Sequence, residues 1–237
     1  MKIKTIIATL AAATLSQLAF AGPAADALLE KLKKTYPNIA FTQVNETPAP
    51  GVYEAVFSKD MLYVDATGTY FFPTMVNMVT RQNISEERRA ELNKIDFSEL
   101  PLKTAVKTVY GNGKRKIAVF ADPNCGYCKK LEANLTNLKD VTIYTYPLGI
   151  LGADSTNKAN AINSLNSDKA KVWQAMMVDG AKPVLTSNKE GIEATAKHLE
   201  LFKKYGFNGT PAVVFESGYT LKGYAETGRI EELMAKK

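Results

Sequence analysis

Histidine and tryptophan each occur once in the 237 residues, and cysteine only twice. Structural zinc sites draw four ligands from thiolates and imidazoles, so this chain is too poor in both to build one of the usual kinds, and no metal is expected. Beyond the first 21 residues no stretch approaches the 18 apolar residues of a membrane span, which excludes a polytopic membrane protein. No internal repeat or low-complexity tract is present. Charged residues make up 23%, too few for a disordered polyelectrolyte, and the 46% hydrophobic content is that of a globular chain. The net charge of +6 is scattered, without a large Lys/Arg cluster, so phosphate neutralisation would be weak and no nucleic-acid partner is expected.

The first segment present in its own right is N-terminal. Lys2 and Lys4 precede an uncharged run from Thr5 to Ala21 that ends Ala19-Phe20-Ala21, with Gly22 following. Small residues at the two positions read by a signal peptidase give the layout of a secretory signal peptide, removed after Ala21. The competing reading is an uncleaved anchor, but Thr5, Thr9, Thr14, Ser16 and Gln17 dilute the run. Cleavage would remove two lysines and no acid, taking the net charge from +6 to +4. The mature chain is therefore expected outside the cytoplasm.

Export changes what two cysteines mean. They stand in Cys125-Gly126-Tyr127-Cys128, and a bridge there would close a tiny loop that removes little unfolded-state entropy. A metal half-site would need two further ligands from His198 and carboxylates. A redox pair is the better reading. The flanking sequence supports it. Lys116 to Phe120 is a short β-branched run that reads as a buried strand, Asp122-Pro123-Asn124 punctuates it with Asn124 as the helix N-cap, and Leu131, Leu135 and Leu138 recur at helical spacing. Cys125 then falls in a first helical turn, where free N–H groups and the helix dipole favour an anion, with Cys128 one turn deeper and shielded. The spacing predicts that Cys125 attacks and Cys128 resolves.

The succession of strand, Cys-x-x-Cys at a helix start and a distant Gly209-Thr210-Pro211 ahead of Ala212-Val213-Val214-Phe215 resembles a thioredoxin fold. The resemblance implies a cis Pro211 beside the dithiol and a backbone at Thr210 that meets bound substrate. More narrowly, Phe120-Ala121-Asp122-Pro123-Asn124-Cys125-Gly126-Tyr127-Cys128 with Gly209-Thr210-Pro211-Ala212-Val213-Val214 resembles the DsbC/DsbG family of periplasmic thiol:disulfide interchange proteins over nearly the whole mature chain. The Gly126-Tyr127 dipeptide favours the DsbC branch. The chain departs from some members in lacking a second cysteine pair in the helical insert.

The expected architecture is an α+β N-terminal dimerisation domain, a helical linker and an α/β thioredoxin-fold catalytic domain with a helical insert. The boundaries are 1–21 for the signal peptide, 22–84 for the dimerisation domain, 85–104 for the linker and 105–237 for the catalytic domain. Within these, a helix is expected over 22–36, strands over Val52–Phe57, Met61–Val64 and Thr69–Phe72, and a polar helix capped by Ser85. Asn112-Gly113 predicts a hairpin between Val106–Val109 and Ile117–Phe120. A further strand is expected over Val141–Tyr146, helices over 155–180 and 187–205, and a last helix over Thr227–Lys236. His198 is expected at the surface or boundary, while Trp173, Met176 and Met177 are expected in the core.

The resemblance implies a periplasmic disulfide isomerase or reductase. It would be a homodimer without a cofactor that acts on misoxidised or unfolded secreted proteins and is kept reduced by a DsbD-type inner-membrane electron donor. Cys125 and Cys128 would be catalytic, and Gly126, Tyr127, Thr210 and Pro211 would bind substrate or tune the dithiol. A DsbG-like reductase of single oxidised cysteines and a holdase chaperone are the alternatives, since a thiolate attacks a disulfide and a sulfenic acid alike.

Overall fold

A computed structural model describes residues 22–236; the expected signal peptide over 1–21 lies outside the described residues. The described residues divide into two compact units, the first ending at Arg89 and the second beginning at Ala90.

In the first unit, helix α1 (Pro23–Thr35) starts with Pro at its first position, where the missing N–H costs nothing, and ends with Lys33 and Lys34 against the negative end of its dipole. Ala25, Leu28 and Leu32 fall on one face and pack with Phe41, Val44, Ala55 and Val64 in a small core. These last four come from an antiparallel sheet of β1 (Phe41–Glu46), β2 (Val52–Phe57), β3 (Asp60–Asp65) and β4 (Phe71–Phe72), in that order. The expected strand over Thr69–Phe72 shrinks to its last two residues. Strand β1 was not expected, and its register shows why: a shift between Phe41 and Gln43 puts the buried Phe41 and Val44 three apart, which hides the alternation of a strand. The short pair β5 (Val76–Asn77) and β6 (Gln82–Asn83) precedes helix α2 (Ile84–Leu92). Ser85 does not cap that helix. The Asn83 side chain accepts the Glu86 N–H, whereas Ser85 is fully buried with its hydroxyl oxygen 2.6 Å from the Met75 N–H.

The second unit is built on a five-stranded sheet of β7 (Val106–Tyr110), β8 (Arg115–Ala121), β9 (Val141–Pro147), β10 (Ala212–Phe215) and β11 (Thr220–Lys222), in the order β11-β10-β8-β9-β7. Strands β8 and β9 run parallel, joined by helix α3 (Gly126–Leu135), and the other pairings are antiparallel. The expected β7–β8 hairpin does not form; β7 pairs with β9 instead. Both edges of β8 are taken by the apolar strands β9 and β10, while β7 alternates between buried and exposed residues, as suits an edge. The turn between them passes over the start of β9. Gly111 sits at φ +59° so close to Asp140 that a Cβ would lie 2.4 Å from its carboxylate, and the Asn112 N–H donates to that carboxylate.

Alternation along β8 sorts the core onto the two faces of the sheet. Ile117, Val119 and Ala121 join Cys128, Leu131 and Leu135 of α3, Trp173 and Met176 of α5 (Lys169–Met177), and Ile230 and Leu233 of α7 (Thr227–Ala235). Ala118 and Phe120 face Tyr146, Phe202 and Phe207 on the other side, with Phe202 carried by α6 (Lys189–Lys204). The insert expected as one helical stretch over 155–180 is two helices, α4 (Ala153–Asn163) and α5, separated by Ser164–Asp168 with Asp168 at φ +59°.

His198 is not at the surface: it is fully buried. The buried face of α6 runs through Gly191, Thr195, His198 and Phe202, while Ile192 is half exposed, so the helix is turned by one residue from the face its aliphatic residues suggest. Polar neighbours make that rotation affordable. Nδ1 of His198 lies 3.0 Å from the Pro147 carbonyl, Nε2 3.2 Å from Thr104 Oγ1, and the Asn163 amide donates to Thr195 Oγ1.

Candidate active site

Strand β8 ends at Ala121 in the middle of the sheet, and the chain must then turn sharply into α3. Asp122 makes that turn. Its side chain is fully buried, with one carboxylate oxygen accepting the Asn124 N–H at 2.8 Å and the other accepting Ile150 N–H at 2.8 Å and Leu151 N–H at 3.1 Å, while its carbonyl accepts the Cys125 N–H. One carboxylate thus fixes both the loop before the cysteines and the loop after β9. Asn124 is not the N-cap; its amide donates to Asp154 and Ser155 and its oxygen accepts from Lys158, tying the same loop to α4.

The N-cap is Cys125 itself. Its sulfur accepts the Cys128 N–H at 3.3 Å, so the reacting atom sits on one of the donors that a helix start leaves free. The same sulfur donates to the Thr210 carbonyl at 3.3 Å, and the Thr210–Pro211 bond is cis, as the resemblance implied. Both cysteines are free thiols. Cys125 retains 8% exposure and Cys128 none, and burial, followed by the hydrogen bond with Cys125, pushes the Cys128 thiol well above the ordinary thiol range. A thiol held on an N–H donor with a small opening to solvent, backed by a fully enclosed and protonated one, suits a dithiol in which one sulfur attacks and the other waits.

The sequence comparisons agree with this geometry. A family model described as a thioredoxin-like domain matches residues 102–237, and one described as the disulfide bond isomerase protein N-terminal domain matches residues 19–86. A probable thiol:disulfide interchange protein DsbC of Bordetella parapertussis is 37% identical over 210 residues, covering 88% of this chain and 74% of the relative. The chain belongs to the DsbC family. A second relative, the thiol:disulfide interchange protein DsbC of Pasteurella multocida, is 25% identical over 228 residues, 94% of this chain and 95% of its own. A crystal structure of a disulfide interchange protein from Neisseria gonorrhoeae superposes with a TM-score of 0.53 at 38% identity, covering 57% of this chain and 96% of that one. The fold is accordingly the two-domain DsbC architecture, and the chain is a thiol:disulfide interchange protein with a thioredoxin-like domain.

Around the DsbC-type dithiol, the remaining expected site residues converge. A Cβ on Gly126 would meet nothing within 4 Å, so that position opens outward. Tyr127 is 60% exposed, its ring 6.2 Å from that of Tyr224, with Lys130 Nζ 5.4 Å above it. Among the described residues no group of three or more His, Cys, Asp or Glu is placed to hold a metal ion. Sequence reasoning missed two carboxylates. Asp122 could have been found as the first residue of an Asp-x-Asn turn. Glu132, in α3 one turn after Cys128, carries no such signal, because a Glu within Lys129-Lys130-Leu131-Glu132 reads as solvated; it is 8% exposed, and its Oε1 accepts the Trp173 Nε1–H at 2.8 Å.

Proposed function

We propose that this protein is a periplasmic disulfide isomerase that works through Cys125, with Cys128 as the resolving thiol. The observation that carries the reading is the Cys125 sulfur held between the Cys128 N–H and the Thr210 carbonyl. The Cys125 thiolate attacks one sulfur of an incorrect disulfide, the client's S–S bond breaks, and one client thiolate leaves as a mixed disulfide forms. A client thiolate can then displace Cys125, leaving a rearranged client and no net electron transfer. Otherwise Cys128 displaces the client, which departs reduced by two electrons while the enzyme becomes the disulfide. That second exit requires a reductant, and an inner-membrane dithiol donor of the DsbD type fits an exported protein.

Gly126 and Tyr127 present the outward surface of the site, and the Thr210 backbone beside Pro211 offers the client's extended chain a hydrogen-bonding edge. Residues 22–84 would form the homodimer, 85–104 the linker and 105–237 the catalytic domain, after signal peptide removal at Ala21. The dimer is supported by the exposed apolar side chains of Tyr70, Phe72, Val76, Met78 and Val79 in the first unit, the last two being 81% and 94% exposed. Among the described residues no helix is long and apolar enough to cross a membrane.

The test is recovery of activity from a scrambled, multi-disulfide client in a fixed glutathione buffer. Wild type restores it, and Cys125→Ser falls to the buffer rate. Recovery that survives Cys125→Ser, or reduction of single mixed disulfides without any recovery, contradicts the isomerase reading.

A further inference from the structure

Beside the dithiol lies a cavity of about 300 Å³ that no step of the exchange uses. One wall is the active-site turn itself, at Pro123 and Asn124, continuing into α3 at Lys129, whose backbone N–H donates to the Cys125 carbonyl. Another wall is the loop between α5 and α6, which brings Lys182 and Leu185. The floor is apolar: Pro123, Ala161 of α4 and Met176 of α5 are buried, and Leu185 is half-buried against the same core. The charge is of one sign. Lys129, Lys158 and Lys182 line the cavity, and among the described residues no carboxylate does; Asp179, the one acid of the α5–α6 loop, lies outside the lining. Lys158 is already engaged by Asp154 and by the Asn124 side chain. Lys129 and Lys182 are exposed, and among the described residues neither forms an ion pair. An apolar pit with two such ammonium groups at its rim fits one kind of occupant, an apolar side chain with a carboxylate next to it.

We propose that this cavity holds a side chain of the client segment that Cys125 attacks, and that it selects segments in which an apolar residue stands beside an acidic one. The inference rests on the dithiol reading above. Cys125 follows Asn124 directly and precedes Lys129 by four residues. A client joined to Cys125 therefore passes the cavity within about two to four residues of its own cysteine, at about 3.3 Å per residue of extended chain. Burial of the apolar side chain holds the client sulfur at Cys125 and supplies most of the affinity. Exposed ion pairs are individually weak, so the two lysines act mainly to discriminate, favouring a carboxylate at the rim and repelling an ammonium.

Peptides carrying one cysteine as its 2-pyridyl disulfide test this on the reduced protein. Cys125 Sγ bonds to the peptide sulfur, the peptide–pyridyl S–S bond breaks, and pyridine-2-thiolate leaves with the electron pair and takes a proton to absorb as the neutral thione. Three series carry Leu-Glu, Ala-Glu or Leu-Lys at two, three or four residues from the cysteine on either side. At the favoured position Leu-Glu reacts at least about threefold faster than Ala-Glu and at least about tenfold faster than Leu-Lys. Equal rates at every position overturn the proposal without recourse to any variant, and leave the dithiol reading standing. With Lys129→Glu and Lys182→Glu together, Leu-Lys overtakes Leu-Glu; comparing peptides on one protein cancels any change in the reactivity of the Cys125 thiol. An order that does not reverse overturns the proposal. Lys130 neighbours the dithiol but does not line the cavity. Lys130→Glu therefore changes the ratio of Leu-Glu to Leu-Lys less than Lys182→Glu alone; a change as large would mean steering by the general field, and overturns the proposal. Thione release that survives Cys125→Ser, or no release from any peptide, is a separate outcome: it contradicts the dithiol reading itself, and the inference with it.

Discussion

Burying the His198 imidazole keeps it neutral, with desolvation pulling its pKa down to about 4, while burying the Glu132 carboxyl pushes its pKa up to about 7. The two act on stability in opposite directions. Between about pH 4 and 6.5 the unfolded chain binds the His198 proton and the native protein does not, so that contribution is present above about 6.5 and fades as pH falls through 4. For Glu132 the native protein holds the proton longer; its contribution is full below about 4.5 and is lost as pH rises through 7. At about 1.36 kcal/mol per pKa unit, each amounts to about 3 kcal/mol over nearly the same window, and they largely cancel. Urea unfolding midpoints from pH 4 to 8 will therefore change little in wild type. Relative to it, Glu132→Gln gains in stability as pH rises and His198→Gln loses. Parallel curves for all three would contradict the assigned environments.

The elements around the site differ in how much of them could be read from sequence. β8, α3, β10 and α7 carry unmixed periodicity, and all four form where the residue pattern places them. β1 was hidden by its bulge, and the partner of β7 by the fact that a tight turn specifies reversal but not which strand the returning chain will lie beside. Ser85 and Asn83 show the same limit at a helix start, since both residue types cap well and only packing selects between them. α3 has the greatest consequence for function, because Cys125 caps it, Cys128 lies in its first turn and its apolar face anchors both. Leu131 and Leu135 are fully buried between the sheet and the neighbouring helices. Leu131→Ala will cost about 2–5 kcal/mol by denaturant unfolding. A loss under about 1 kcal/mol would mean that α3 is not held by its apolar face.

Across the whole molecule, the cysteine pair was legible because Cys-x-x-Cys at a helix start is a local motif with a physical mechanism, and the cis Pro211 through the resemblance that Gly209-Thr210-Pro211 carries. The carboxylates were not, since burial of Asp122 and Glu132 is decided by chain segments 28 to 41 residues away: the Ile150–Leu151 loop for the first and Trp173 for the second. The site is thus a short motif set on a β8–α3 turn, held from beneath by groups drawn from across the thioredoxin-like domain. Its central property is the unequal standing of two cysteines three residues apart: Cys125 on a helix-start N–H donor and partly open to solvent, Cys128 enclosed. The most direct measurement is the rate of iodoacetamide alkylation at each cysteine of the reduced protein near neutral pH, resolved by peptide mass spectrometry. Cys125 will be modified rapidly while Cys128 stays intact; equal rates, or faster modification of Cys128, would contradict the assignment of attacking and resolving thiols.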